Sequence, residues 1–306
     1  MRIPAPVAIG TVLIWTSGYL LGALAVDVVP PYLLTTVRLT LGALLMGAIA
    51  LVTGARRPRG RLLLHVCVAG VLTQAVQFAG VYGGLQAGVP AAVTALVMAL
   101  NPVLTAVMVT GLLGERVGRK QVVGLVLGVL SVVAVLGERV LEVGLDAGSL
   151  LTLLGLFGFA VGGIYQQRFC SGADVRAAST VQMAVSAPVV GVLALFEDGT
   201  VTDWTGAGLI ALWLVLVNAL LGTSLYLEAV RRGGARRASS LFSVVPAVTA
   251  IAAWPVLGEL PSLGALAGLG LGAAACVLGT STAAEKTRVA KDPVPRRDRA
   301  ATVHPG

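Results

Sequence analysis

Apolar runs of about 20 residues, each long enough to cross a ~30 Å hydrocarbon core as a helix, follow one another almost without interruption from residue 3 to residue 282. This pattern leaves little choice of solvent. Only 12% of the 306 residues are charged, against about 25% in an average soluble domain, and 57% are hydrophobic, with a mean hydropathy of +0.91. A water-soluble surface cannot be coated with so little charge. The chain therefore reads as an all-α integral membrane protein, multi-pass, in the cell membrane.

Hydrophobic windows predict ten transmembrane helices, at 3–26, 32–53, 62–83, 89–113, 119–136, 147–166, 179–196, 206–229, 238–257 and 261–282. The first run is too long for the apolar core of a signal peptide, so it is read as a retained span. Charge tests the count, because cytoplasmic loops hold the excess of Lys and Arg. With ten spans and a cytoplasmic N-terminus, all of the 22 basic residues except Arg38 and Arg139 fall on the cytoplasmic side. The opposite loops carry Asp27, Glu138, Glu142, Asp146, Glu197, Asp198, Asp203 and Glu259. Adding or removing one span would scramble this segregation, so both termini are expected in the cytoplasm.

The same placement removes the nucleic-acid reading of a +8 net charge, since the basic residues sit in short gaps and form no patch on an aqueous surface. Cys67, Cys170 and Cys276 are odd in number and far apart, so neither a disulfide framework nor a metal site is expected. The polar, proline-containing stretch 284–306 reads as a disordered basic cytoplasmic tail.

Self-comparison reveals a duplication. The segment 82–133 matches 226–277 at a constant offset of 144 residues, pairing Tyr82 with Tyr226, Pro102 with Pro246, Thr105 with Thr249, Gly114 with Gly258 and Glu115 with Glu259. Each half holds five spans, an odd number, so the second half must enter the bilayer from the other side. The expected architecture is two inverted five-helix repeats, 1–140 and 141–283, an arrangement in which transporters place substrate near the midplane between the halves.

At these residues the chain resembles the EamA family of the drug/metabolite transporter superfamily. The stretch LGTSLYLEAVRRGGARRASSLFSVVPAVTAIAAWPVLGELPS (221–262) is similar to the most recognisable part of that family, and NPVLTAVMVTGLLGERVG (101–118) echoes it in the first half. The opening IWTSGYLLGALAVDVVPPYLLTTVRLTLGALL (14–45) resembles its first two helices, with Trp15, Gly18 and Arg38. The resemblance implies ten helices around a central cavity open alternately to either side. It leaves the substrate open among amino acids, other metabolites and drugs.

Arg38 is the basic residue set well inside an apolar run, where a charge costs about 2.5–3.5 kcal/mol and calls for a partner or a wet cavity. It also lies about 10 Å from its helix start, within reach of the interface by snorkelling, so both readings stand. Pro102 and Pro246 each remove a backbone N–H from equivalent helices; they are candidate hinges, or kinks that only shape packing. Thr94, Met98 and Asn101 share a helical face beside Pro102, and Ser239 and Ser243 are similarly spaced before Pro246. Gln74 and Gln77 share a face of the third span, and Trp15, Tyr165 and Asn218 complete the candidate substrate-binding set, with interhelical hydrogen bonding as the plainer account of each. Glu115 and Glu259 lie at helix ends and read as interfacial, with a gating role as the alternative, and His65 near a helix start reads as interfacial.

No Asp or Glu lies near the middle of a predicted span, so the central carboxylate of small multidrug resistance proteins has no counterpart. There is no P-loop and no catalytic motif, so neither an enzyme nor a bound cofactor is expected. The expected function is alternating-access export of small metabolites such as amino acids, with the lipid bilayer and a small-molecule substrate as partners and no nucleic acid. A non-transporting membrane sensor or scaffold, and a lipid-processing enzyme, are the alternatives.

Overall fold

The computed structural model describes residues 3–105, 108, 119–143, 146–233, 241 and 244–275, and among them every regular element is a helix. In chain order these are α1 (Ala5–Val26), α2 (Pro31–Val52), α3 (Arg61–Gln86), α4 (Ala91–Thr105), α5 (Arg119–Val143), α6 (Ala147–Phe169) and α7 (Val175–Ala194). Then follow α8 over 204–233, α9 (Val245–Leu257) and α10 (Leu263–Ala275). Six of them have both the length and the apolarity to cross a membrane: α1, α2, α3, α6, α7 and the Trp204–Leu221 part of α8. At the other four positions the apolar helical stretches are shorter: Ala91–Thr105, Val122–Ser131 within α5, Val245–Leu257 and Leu263–Ala275. α5 runs seven residues beyond its predicted end, carrying the helix through Glu138, Arg139 and Glu142, since interfacial charges end an apolar run without ending a helix. The tail, Ser239, Ser243, Glu115 and Cys276 lie outside the described residues.

Six of the helix starts are of two kinds. α1, α2 and α4 begin at Pro4, Pro30 with Pro31, and Pro90, whose fixed φ suits a first turn. α6, α7 and α8 begin at Asp146, Asp174 and Asp203, each accepting a backbone N–H of the first turn at 2.9–3.1 Å. Two further carboxylates cap at long range. Glu197, after α7, accepts from the N–H groups of Tyr32 and Leu33 at the start of α2, at 3.1 and 3.2 Å. Glu259, after α9, accepts from Ala91 N–H at the start of α4, at 3.1 Å.

These contacts gather the connections with Asp27, Glu197, Asp203 and Glu259 at one end of the molecule, the acidic face. The connection bearing Arg56, Arg57 and Arg59 and the end of α6 with Arg168 lie at the other, the basic face. A cluster of buried apolar residues, including Ala25, Val29, Leu34, Leu85, Val89 and Leu214, packs the acidic end. Outward-facing side chains such as Leu13, Leu44, Ile251 and Leu263 are more than half exposed, as a lipid solvent permits. The polarity of the interior is handled locally: buried Thr35, Thr73, Thr152 and Thr249 each donate to the carbonyl four residues earlier.

The 144-residue offset also relates described elements outside the 82–133 segment. It carries the start of α2 at Pro31 onto the start of α7 at Val175. Inside α3, Val71–Val76 is π-helical, and inside α8, Leu214–Leu221 is π-helical; the offset maps 71–76 onto 215–220. It also joins two helix breaks. A turn at Leu100 interrupts α4 two residues before Pro102, and a turn at Val244 stands two residues before Pro246. The halves embrace: α1 packs on α8 of the second half, while α6 packs on α3 of the first. Glycines set both crossings. A Cβ at Gly18 would stand 2.5 Å from Asn218 Nδ2, and one at its equivalent Gly162 would stand 2.5 Å from Thr73 Cγ2.

Candidate functional site

Where the two π-helical segments face each other across the halves, a cavity of about 200 Å³ opens near mid-depth. A π turn spends an extra residue per turn and swings its side chains off the ordinary helical register, which recurs at functional positions. Here the side chains so displaced are Gln74 from α3 and its equivalent Asn218 from α8, one amide from each half. The offset also pairs Trp15 on α1 with Phe159 on α6, and both line the cavity. Its wall is thus partly two-fold in chemistry: an aromatic ring and an amide from each repeat.

Arg38 breaks that symmetry, for its equivalent is Gln182, which is buried and donates to Gln166 at 3.2 Å. The Arg38 guanidinium lies in the cavity wall, its carbon 4.0 Å from the centroid of the Phe78 ring, while Nη1 donates to the Tyr82 hydroxyl at 3.1 Å. Phe78 and Tyr82, one turn apart on α3, stack at 6.1 Å and hold this platform. Both interactions accept a cation without neutralising it, and among the described residues no carboxylate pairs with Arg38. A partly dehydrated positive charge is therefore directed at a small space, with the Gln74 and Gln77 amides beside it and no protein partner for either among the described residues. Asn218 is anchored, donating from Nδ2 to the Ile14 carbonyl at 2.8 Å.

Five expected site residues thus meet around one cavity: Trp15, Arg38, Gln74, Gln77 and Asn218. The others lie elsewhere. Thr94 and Met98 are buried in the packed acidic half of the core, Thr94 with no hydrogen-bond partner for its hydroxyl among the described residues. Asn101 is half-buried beyond the break in α4, 3.5 Å from Thr105. Tyr165 stands towards the basic face, its hydroxyl 2.8 Å from His65 Nδ1 and its ring against Phe169. Pro102 is exposed, whereas Pro246 is fully buried beside Leu96 and Leu100. Sequence reasoning passed over Phe78, Phe159 and Met183 as lining residues. Extending the 144-residue offset back to Trp15 would have pointed to Phe159.

A helical bundle with a lipid-compatible exterior, two repeated halves and a cation-bearing cavity between them defines a multi-pass membrane transporter. A model of the EamA-like transporter family matches residues 3–137 and again residues 146–281, and the chain belongs to this family. No curated protein matches the sequence. A solved crystal structure of a protein is similar in fold, with a TM-score of 0.61 at 20% identity, covering 94% of this chain and 98% of the other.

Proposed function

We propose that the chain crosses the cell membrane ten times with both termini in the cytoplasm, and exports a small metabolite bearing an anionic group by alternating access. An amino acid or related compound fits best. The observation that carries this reading is Arg38, a cation in a transporter cavity with an aromatic ring and a hydroxyl for company and no carboxylate among the described residues. An anionic substrate group completes the pair, the amides of Gln74 and Gln77 serve its polar portion, and Trp15 and Phe159 its apolar portion. The volume of about 200 Å³ falls below the roughly 300–1,000 Å³ of sites for drug-sized ligands, which favours metabolites over drugs.

The basic connections mark the cytoplasmic side. Close packing of the acidic end then supports a conformation loaded from the cytoplasm, as export requires.

Reconstitution into proteoliposomes tests this. Labelled small metabolites are screened for uptake with and without imposed proton or sodium gradients. Saturable flux of a carboxylated compound, and none of the matching amide, is the expected result. Ligand binding without flux under any gradient would replace transport with the sensor reading.

A further inference from the structure

At the basic face, remote from the central cavity, the connection between α2 and α3 meets the connection between α6 and α7 around a second cavity of about 280 Å³. Its walls are built, not incidental. α2 ends in a tight turn with Ala55 N–H bonded to the Ala50 carbonyl at 2.8 Å, and Gly54 and Gly60 take positive φ of 64° and 57°, a conformation that favours glycine. Between them Pro58 is buried and, with Leu62, forms an apolar floor. On the opposite wall Ala173 N–H bonds the Cys170 carbonyl at 3.0 Å, presenting Ser171 to the cavity.

The charges around it do not cancel. Asp174 is committed: its carboxylate accepts from Arg176 N–H at 3.0 Å, from Nε at 3.2 Å and from Nη2 at 3.0 Å. The guanidinium contact holds its carboxyl below the usual carboxylate range. Arg56 and Arg57 line the same cavity, are exposed, and pair with no carboxylate among the described residues. Two free guanidiniums and a hydroxyl are the donors that hold the oxygens of a phosphate group. At the same level the ends of α2, α3 and α7 turn Val52, Leu64 and Val175 outward, each more than 60% exposed, where acyl chains would lie.

We infer that this cavity binds the phosphate of an anionic phospholipid headgroup in the leaflet at the basic face, through Arg56 and Arg57. Basic pockets at helix ends recognise such headgroups beyond the diffuse attraction of scattered surface charge. The inference requires a membrane-embedded chain and is independent of what the central cavity transports.

The test is native mass spectrometry of the full-length protein in detergent, titrated with phosphatidylglycerol, phosphatidylcholine or inorganic phosphate. Phosphatidylglycerol should be retained over phosphatidylcholine. Arg56→Gln with Arg57→Gln should lower its apparent affinity about tenfold or more, the scale of lost charge-assisted hydrogen bonds. Arg59→Gln, which removes a basic-face charge that does not line the cavity, should leave the affinity near wild type. Equal loss in Arg59→Gln would reduce the effect to diffuse charge and overturn the site. Retention of both lipids alike, or undiminished binding in the double variant, would also overturn it. Binding of inorganic phosphate that the double substitution abolishes, with no lipid preference, would assign the pocket to a soluble anion and overturn the lipid assignment. An unchanged melting temperature in lipid-free detergent confirms that the double variant is folded.

Discussion

At the scale of single residues, charge placement decides most of what this molecule can do. Arg38 carries a burial cost that Phe78 and Tyr82 offset only in part, since a cation–π contact contributes about 0.5–2 kcal/mol. Arg38→Ala should therefore leave membrane abundance normal while weakening an anionic substrate by about 10- to 100-fold, the equivalent of 1.5–3 kcal/mol for a charge-assisted hydrogen bond. Arg38→Lys keeps the charge but not the planar stacking on Phe78, so it should fall between. Flux kinetics check both, and wild-type rates in both would remove Arg38 from the site. Glu197 and Glu259 make a second, opposite case. Burial pushes both carboxyls above the usual range, and the backbone N–H groups of Tyr32, Leu33 and Ala91 pull them only part of the way back, with the Tyr32 side chain also facing Glu197. A carboxyl whose pKa is raised in the closed, folded arrangement favours that arrangement when protonated. Its contribution is complete below the ordinary carboxylate pKa of about 4.3 and is lost as pH rises through the raised value. Acidification should thus tighten the acidic end, and Glu197→Gln with Glu259→Gln should flatten the dependence of melting temperature on pH above the ordinary carboxylate range. A double variant that keeps the wild-type slope would place the titration elsewhere.

At the scale of elements, close helix approach depends on single glycines. Gly80 on α3 meets the backbone of α6, where an added Cβ would lie 2.6 Å from Gly155 N and 2.5 Å from the Leu151 carbonyl. Alanine ordinarily favours a helix over glycine by about 1 kcal/mol, but overpacking of this kind costs about 1–3 kcal/mol and wins. Gly80→Ala should lower the melting temperature in detergent, whereas Gly163→Ala, with open space around its Cβ, should be neutral or stabilising. Equal behaviour of the two would mean the crossing can spread. The elements also show what could be read beforehand. Helix positions were legible because a span must be apolar for its whole length, and the prolines and acidic caps at the starts agree with where those runs begin. The π-helical segments were not, because one extra residue in a turn leaves composition untouched. Spacing placed Thr94, Met98 and Asn101 on one face, but a face can turn towards a neighbouring helix as readily as towards a cavity, and Thr94 and Met98 face the packed core. Gln74, Gln77 and Asn218 were legible since large amides are costly to leave in lipid, whereas Phe78 and Phe159 look like any other apolar residue. The bonds from Glu197 to α2 and from Glu259 to α4 span more than 160 residues and have no local trace.

At the scale of the whole molecule, the two halves are alike in sequence frame and unlike in how they pack around their equivalent prolines. Pro246 is buried while Pro102 is exposed, although each follows a break at an equivalent place. If these breaks bend as the halves exchange accessibility, Pro102→Ala and Pro246→Ala should shift labelling of reporter cysteines in the cavity in opposite senses, with slower flux in both. Identical labelling in both variants and the parent, with unchanged flux, would leave the prolines as packing features. Reporter fusions should place the 56–61 and 231–237 segments on the same, cytoplasmic side; finding them on opposite sides would end the ten-span topology. The paired π-helical segments bear on history as well as on geometry. A π turn holds one residue more than the α-helical turn it replaces, so a bulge acquired in one half alone would have changed the 144-residue offset across that helix. The offset is the same before α3, at the α2 and α7 starts, and after it, at the Leu100 and Val244 breaks. The simplest descent is that the ancestral five-helix gene already encoded the bulge, with a polar residue in it, before it was doubled.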